Sequence, residues 1–272
     1  MRRFLMAVAS IWTWLVLAAG GVIGLPILAL IRLVTAPFDP GRYATGRVFR
    51  WICGILPARL NPLWDFRWSG TPPADPRRPY VVVSNHESFA DILLISHLPW
   101  EMKWLSKEEI FRVPVIGWIM HLVGDVPVKR GFGPSAIEAM RICRERLAQR
   151  VSVMIFPEGT RSPRPDLLPF KDGAFRLAIE AGVPILPLAV SGTRTALPKT
   201  GFIMRRARAE VRVLDPVETA GLTIADVGAL RDRVRDMIDA ARTELQQALA
   251  AEGASSSALS GDEEDAARLP RG

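Results

Sequence analysis

Cysteine is scarce in this chain of 272 residues, which holds only Cys53 and Cys143. Two thiols exclude a disulfide framework, and neither stands in a CxxC pair, so both read as small buried apolar residues. Histidine is also rare, with His86, His97 and His121 the only three. His86-Glu87 begins like the HExxH of zinc proteases, but Ala90 stands where the second His belongs, so no metal is expected. No G-x-S-x-G elbow occurs, which argues against a serine hydrolase. Gly131-Phe132-Gly133-Pro134-Ser135-Ala136 echoes a dinucleotide turn only superficially and reads as a loop that opens a helix at Pro134. Internal repeats are absent too.

Charge is nearly missing from one long stretch: between Phe4 and Leu33 the only ionisable side chain is Arg32. Roughly 20 apolar residues suffice for a helix to cross a bilayer, and this run is longer. It is too long for a signal-peptide core, and no small-residue cleavage pattern follows it. Gly20, Gly21 and Pro26 interrupt it, so a bent or re-entrant path is expected to be open to it. Arg32, Arg42, Arg47 and Arg50 load the downstream flank more heavily than Arg2 and Arg3 load the upstream one. That bias keeps the remainder on the cytoplasmic side of the inner membrane.

What the chain has in plenty agrees. Hydrophobic residues make up 49% and the mean hydropathy is +0.16, a surplus for so short a chain that points to a membrane. Lys and Arg outnumber Asp and Glu 35 to 28. Such a balance suits anionic headgroups and phosphorylated substrates, and a nucleic-acid partner is not expected. After Pro37-Phe38-Asp39-Pro40, a helical stretch from about Ala44 to Leu56 gathers Val48, Phe49, Ile52, Ile55 and Leu56 on one face. Arg47 and Arg50 fall opposite, the pattern of an interfacial helix or, alternatively, of a core-facing one. Residues 1–58 thus read as a membrane-anchoring helical segment.

A linker, Ser69-Gly70-Thr71-Pro72-Pro73-Ala74-Asp75-Pro76, leads into short apolar runs at 80–84, 102–105, 125–128, 151–156, 185–190 and 210–214. Helical stretches at 134–150 and 172–181 lie between some of them. Strands alternating with helices predict an α/β fold, a mixed, mostly parallel sheet covered by helices. Thr223 and Asp226 make a capping-box-like start for a last helix, along which Val227, Leu230, Val234, Met237, Ile238, Ala241 and Leu245 recur at helical spacing. Residues 59–252 are read as one catalytic domain and 253–272, rich in Ser, Gly, Asp and Glu, as a disordered tail.

Two segments carry chemistry. Val81-Val82-Val83-Ser84-Asn85-His86-Glu87-Ser88-Phe89-Ala90-Asp91 puts His86 in a strand-to-helix turn, with Asp91 close enough to reach back to its ring. A carboxylate on one ring nitrogen fixes the tautomer and frees the other nitrogen to accept a proton. Phe156-Pro157-Glu158-Gly159-Thr160-Arg161-Ser162 also follows an apolar strand. Gly159 permits close backbone approach, and its N–H could meet a developing oxyanion. Arg161 offers a planar fork suited to phosphate, while Glu158 could orient it or bond an acceptor. Lys107, Lys129, Arg130 and Lys171 all fall at strand ends or in connecting loops, so a shared sheet edge would bring them near His86.

These segments together resemble the glycerophospholipid acyltransferase family. Its NHxSxxD block matches Asn85 to Asp91 at each defined position, and its FPEGTRS block stands unaltered at Phe156 to Ser162. Its KxEL…P…G block is similar to Lys107-Glu108-Glu109-Ile110 with Pro114 and Gly117. Its later two-proline block is similar to Val183-Pro184-Ile185-Leu186-Pro187-Leu188-Ala189. One departure is Lys129, which stands before Arg130 where the family often has Asp, in a stretch associated with the acceptor headgroup. The resemblance implies transfer of a fatty acyl group from acyl-CoA or acyl-carrier protein to a lysophospholipid, with 1-acylglycerol-3-phosphate giving phosphatidic acid. Lyso-ornithine lipid as acceptor, or a lysophospholipase or thioesterase activity, stand as alternatives. His86 and Asp91 would be catalytic, with Gly159, Asn85 and Ser88 as oxyanion or supporting groups. Lys107, Arg130, Glu158, Gly159, Thr160 and Arg161 would bind substrate. No cofactor beyond the thioester co-substrate is implied.

Overall fold

Runs such as Val81-Val82-Val83 are β-branched and apolar on both faces, as strands buried in the middle of a parallel sheet must be. The computed structural model describes residues 2–162, 164, 166–198 and 201–266, with side chains from 3 to 254. Its helices and strands alternate. Helix α1 (Arg2–Thr35) comes first, then α2 (Tyr43–Arg50), which continues through a π-helical turn (Trp51–Ile55) into α3 (Leu56–Arg59). Then follow β1 (Trp64–Gly70), β2 (Val81–Ser84), α4 (Ala90–Ile95), β3 (Met102–Lys107), α5 (Glu108–Phe111), α6 (Ile116–Val123) and β4 (Val126–Val128). The remainder comprises α7 (Gly133–Ala148), β5 (Ser152–Ile155), α8 (Gly173–Ala181), β6 (Ile185–Ser191), β7 (Ala207–Val213) and α9 (Val227–Ala266).

The seven strands form one sheet in the order β1-β7-β6-β2-β5-β3-β4. Strands β2 to β6 run parallel, whereas β7 is antiparallel to β6 and β1 parallel to β7. The mixed, mostly parallel sheet of the sequence reading is therefore present. One face is covered by α7, α8 and α9, whose Cys143, Phe175, Val234 and Ile238 are fully buried against it. On the other face Leu94, Ile95, Trp100 and Trp104 pack on Val82, Met154 and Leu188. The expected capping box forms: Thr223 and Asp226 exchange bonds ahead of α9.

Two expectations need correction. Residues 64–70, partly read as linker, are edge strand β1; its alternation Trp64-Asp65-Phe66-Arg67-Trp68 is that of a strand with one wetted face. Helix α1 runs without a break from Arg2 to Thr35, through the Gly20, Gly21 and Pro26 that were expected to interrupt it. Gly20 and Gly24 lie one turn apart against Ile52, where an added Cβ would come within 3.3 Å of the Ile52 side chain. Small residues there let the π-helical turn approach closely. Helix α9 extends to Ala266, into the stretch 253–272 that the sequence reading set apart as a tail; residues 267–272 lie outside the described residues. Leu245 is the last residue with a described side chain to be buried.

The arginines of α2 also behave unlike those of an interfacial helix. Arg47 donates to the Leu98 and Trp100 carbonyls. Arg50 is buried, with Nη2 2.5 Å from Asp125 Oδ1 and 3.8 Å from Glu101 Oε1. Lys103 Nζ, fully buried, meets Glu101 Oε1 at 3.0 Å and donates to the Arg42 carbonyl at 2.9 Å. Asp125 Oδ1 in turn accepts from the Trp104 amide. The polar side of α2 is thus turned inward onto β3, and its apolar side, with Val48 and Phe49, meets Leu25 and Leu28 of α1.

Helix α1 is the outermost layer. Ala9, Ser10, Thr13 and Leu28 are buried on its inner side. Leu5, Ile11, Leu15, Val22, Ile23, Leu30 and Leu33 point outward, each more than half exposed.

Candidate active site

Parallel strands β2 to β6 end at one edge, and every chemistry-bearing segment leaves the sheet there. His86 follows β2, Phe156 to Arg161 follow β5, Arg130 follows β4, Lys107 ends β3, and Thr193 follows β6. Strand ends are where a backbone can turn and release side chains from the hydrogen-bond ladder, so loops there collect functional groups.

His86 and Asp91 meet. Nδ1 of His86 lies 2.7 Å from Asp91 Oδ2, with the carboxylate fully buried and the imidazole nearly so. Asp91 Oδ2 accepts as well from the Glu87 and Ser88 amides, at 2.7 and 3.0 Å, because the turn into α4 folds these N–H groups over it. This geometry makes Nδ1–H the donor and leaves Nε2, which pairs with no described residue, as the acceptor of a proton. The ring is held on its face too. Phe156 stacks on it with centroids 3.9 Å apart and planes 14° from parallel.

Glu158 ties the two motifs together. Its Oε1 accepts from the His86 amide at 2.8 Å and its Oε2 from the Leu168 amide at 3.0 Å. Burial pushes this carboxyl above its ordinary range, and the His86 and Leu168 amides oppose that. Both oxygens are occupied by backbone, so the geometry gives Glu158 a scaffold role in addition to the substrate contact expected of it. The Ser162 amide donates to the His86 carbonyl at 3.0 Å, a second strut between the same loops. Asn85 clamps the end of β2 to β6, exchanging two 2.8 Å bonds with Val190, and Ser88 Oγ donates to the Leu197 carbonyl at 2.9 Å.

Gly159 has φ of 71°, the left-handed region that its missing Cβ permits. Its N–H, expected to face an oxyanion, instead closes the turn on the Phe156 carbonyl at 3.0 Å. The Lys171 ammonium lies 2.8 Å from the position a Gly159 Cβ would take. Thr160 is exposed on the same turn.

Two of the expected cations face one carboxylate, Glu109. Lys107 Nζ is 3.0 Å from Glu109 Oε1. The Arg130 guanidinium is pushed below its usual basicity, chiefly by partial burial, with Glu109 opposing and Arg161 adding its repulsion. Lys107 and Arg130 thus both face Glu109, and Arg130 also feels the like charge of Arg161, so positive charge collects at this edge of the sheet. Lys129, the departure from the family pattern, turns to a different place. It lines an adjacent cleft of about 390 Å³ with Glu108, Arg112, Pro127, Phe132, Ser135, Glu138 and Ile142. Among the described residues no group of His, Cys, Asp and Glu could hold a metal ion.

Sequence reasoning missed residues just past β6. Thr193 is fully buried and its hydroxyl donates to Asp91 Oδ1. Arg194 donates to the Ser162 carbonyl at 2.8 Å and lies 3.9 Å from Glu87 Oε1. The available signal was position: Ser191-Gly192-Thr193 leaves β6 at the same edge as the two recognised motifs.

With this geometry in hand, the relatives are informative. Residues 66–191 match the family model described as Acyltransferase. Human 1-acyl-sn-glycerol-3-phosphate acyltransferase alpha is 41% identical over 162 residues, 59% of this chain and 57% of that protein. A chloroplastic 1-acyl-sn-glycerol-3-phosphate acyltransferase of Brassica napus is 43% identical over 136 residues, 50% of this chain and 39% of that protein. The chain thus spans about half the length of the curated relatives it matches. The crystal structure of the 1-acyl-sn-glycerophosphate acyltransferase PlsC from Thermotoga maritima superposes with a TM-score of 0.69 at 23% identity. It covers 90% of this chain and 98% of that one, and so shares the fold. Residues 66–191 are thus the part of the chain that is similar to the acyltransferase family, and they contain both recognised motifs.

Proposed function

We propose that the protein transfers a fatty acyl group from a thioester to the free hydroxyl of a lysophospholipid, with 1-acylglycerol-3-phosphate as the acceptor and phosphatidic acid as the product. The 2.7 Å contact between His86 Nδ1 and Asp91 Oδ2 carries this reading. An imidazole so held takes the acceptor's hydroxyl proton on Nε2, while Asp91 stabilises the imidazolium that results. The acceptor oxygen forms its bond to the thioester carbonyl carbon, the C–S bond breaks, and the departing thiolate takes the proton back from the imidazolium. No acyl-enzyme is needed.

Lys107, Arg130 and Arg161 would hold the acceptor phosphate. Because the Gly159 N–H is engaged within its turn, the oxyanion is assigned instead to the Thr160 and Arg161 amides, which pair with no described residue. Acyl-CoA or acyl-carrier protein supplies the acyl group, and no cofactor takes part. A lipid acceptor lives in the bilayer, and Arg3–Thr35 is long and apolar enough to reach it. The apolar outer side of α1 lies in the inner membrane, with the catalytic domain on its cytoplasmic side.

Purified protein given mixed lysolipids and both donor types should form phosphatidic acid, read by mass spectrometry. His86→Ala should reduce the rate by about 100- to 10,000-fold. Acylation of lyso-ornithine lipid in preference to 1-acylglycerol-3-phosphate would replace the acceptor. Thioester hydrolysis without any acceptor dependence would overturn the transferase reading.

A further inference from the structure

The acyl-transfer reading uses one oxygen of Asp91. The other, Oδ1, is fully buried and receives the Thr193 hydroxyl, the only donor to it among the described residues. We infer that Thr193 is a positioning residue for catalysis, whose hydroxyl fixes the Asp91 carboxylate so that Oδ2 stays aligned with His86 Nδ1. This inference rests on the reading of His86 as general base.

Three observations support it. First, the carboxylate is saturated by fixed donors: His86 Nδ1, the Glu87 amide and the Ser88 amide on Oδ2, and Thr193 on Oδ1. Three of these belong to the turn that carries His86 itself, and none of them touches Oδ1. Without Thr193 the carboxylate would pivot about Oδ2, and rotation of that kind moves the ring it steers.

Second, Thr193 is held from a different part of the fold, 102 residues away in sequence. Gly192, at φ 93°, places it by passing so near β7 that a Cβ would fall 2.1 Å from the Arg208 carbonyl oxygen. A short 3₁₀ turn from Thr193 to Thr195 follows directly, and the Ala196 amide closes on the Thr193 carbonyl at 2.9 Å. The hydroxyl is delivered by a rigid element.

Third, the hydroxyl has a second neighbour. Glu87 Oε2 is 3.5 Å from Thr193 Oγ1. Burial foremost, and then the Asp91 charge, push the Glu87 carboxyl up to about 7, against the pull of Arg194 and Arg242. A protonated Glu87 can donate to Thr193 Oγ1 and so direct the threonine's own proton at Asp91.

The test compares Thr193→Val, Thr193→Ser and His86→Ala in the lysolipid assay, each checked for folding by thermal unfolding. Valine keeps the shape and loses the hydroxyl; serine does the reverse. The inference expects Thr193→Val to lower kcat by about 10- to 100-fold, the range for a buried acceptor left unpaired. KM for either substrate should hold, and Thr193→Ser should stay near the parent. A packing role would reverse the order, with valine the better replacement, and that order overturns the inference. Equal activity of all three Thr193 forms alongside an inactive His86→Ala overturns it as well, while leaving the base intact. An active His86→Ala would instead remove the reading on which it rests.

Discussion

Glu87 occupies a variable position of the NHxSxxD block, yet it is the side chain there with the most distinctive electrostatics. Burial and the neighbouring Asp91 charge raise its carboxyl to about 7, and Arg194 offsets only part of this. The linkage sign follows. The folded protein keeps the Glu87 proton to higher pH than the unfolded chain does, so its contribution is full below the ordinary glutamate value. It is lost as pH rises through that value toward about 7. At most roughly 3 kcal/mol is involved. Glu87→Gln cannot ionise, so the variant should gain melting temperature over the parent at pH 8 and gain little at pH 4.5. Parallel melting curves across that range would show that the carboxyl is not strained as proposed. The motif residues around Glu87 were legible in the sequence because a turn of a few residues builds the whole of their contact. Thr193 was not, because only the sheet order, with β6 next to β2, brings it to Asp91.

Among the elements, α2 shows why helical periodicity alone misjudged a face. Arg47 and Arg50 share a side of the wheel, and a wheel cannot tell water from a buried acceptor. In the fold that side meets β3, the loop before it, and Asp125, with Glu101 and Lys103 completing a buried set of charges. Pairing makes such charges tolerable in the interior, and removing one partner strands the others. Arg50→Met should therefore cost about 3 to 5 kcal/mol, because Asp125 and Glu101 lose their guanidinium. Thermal or chemical unfolding in detergent checks this. A loss under about 1 kcal/mol, the value of an exposed pair, would mean that water reaches the set. The edge strand β1 escaped notice for a related reason: its half-wet alternation is weaker than the solid apolar runs of β2, β5 and β6.

At the scale of the whole molecule, the proposed membrane placement must accommodate an apolar helix and a charged α/β body together. Helix α1 has 34 residues and at 1.5 Å per residue extends roughly 50 Å, well beyond a hydrocarbon core of about 30 Å. It does not stand away from the body. Near its start, the Met204 amide donates to Ser10 Oγ at 2.8 Å and Trp14 Nε1 donates to the Phe202 carbonyl at 2.9 Å. Near its end, Leu28 is buried with Phe49, Ile119 and Val123. Both halves are fastened to a domain too polar to enter hydrocarbon, so α1 should immerse only its outer side and keep both ends on one face of the membrane. Cysteine labelling from either side tests this, and the chain is suited to it. Burial pushes the native Cys53 and Cys143 thiols up to about 12, which leaves them poor nucleophiles. Phe4→Cys and Phe38→Cys each introduce a thiol at a position that is at least 70% exposed in the protein. With a membrane-impermeant maleimide, both should label from one and the same side, the side that carries the α/β body. Labelling of Phe4→Cys only from the opposite side would make α1 a true crossing, and its contacts with Phe202 and Met204 would then have to break in the bilayer.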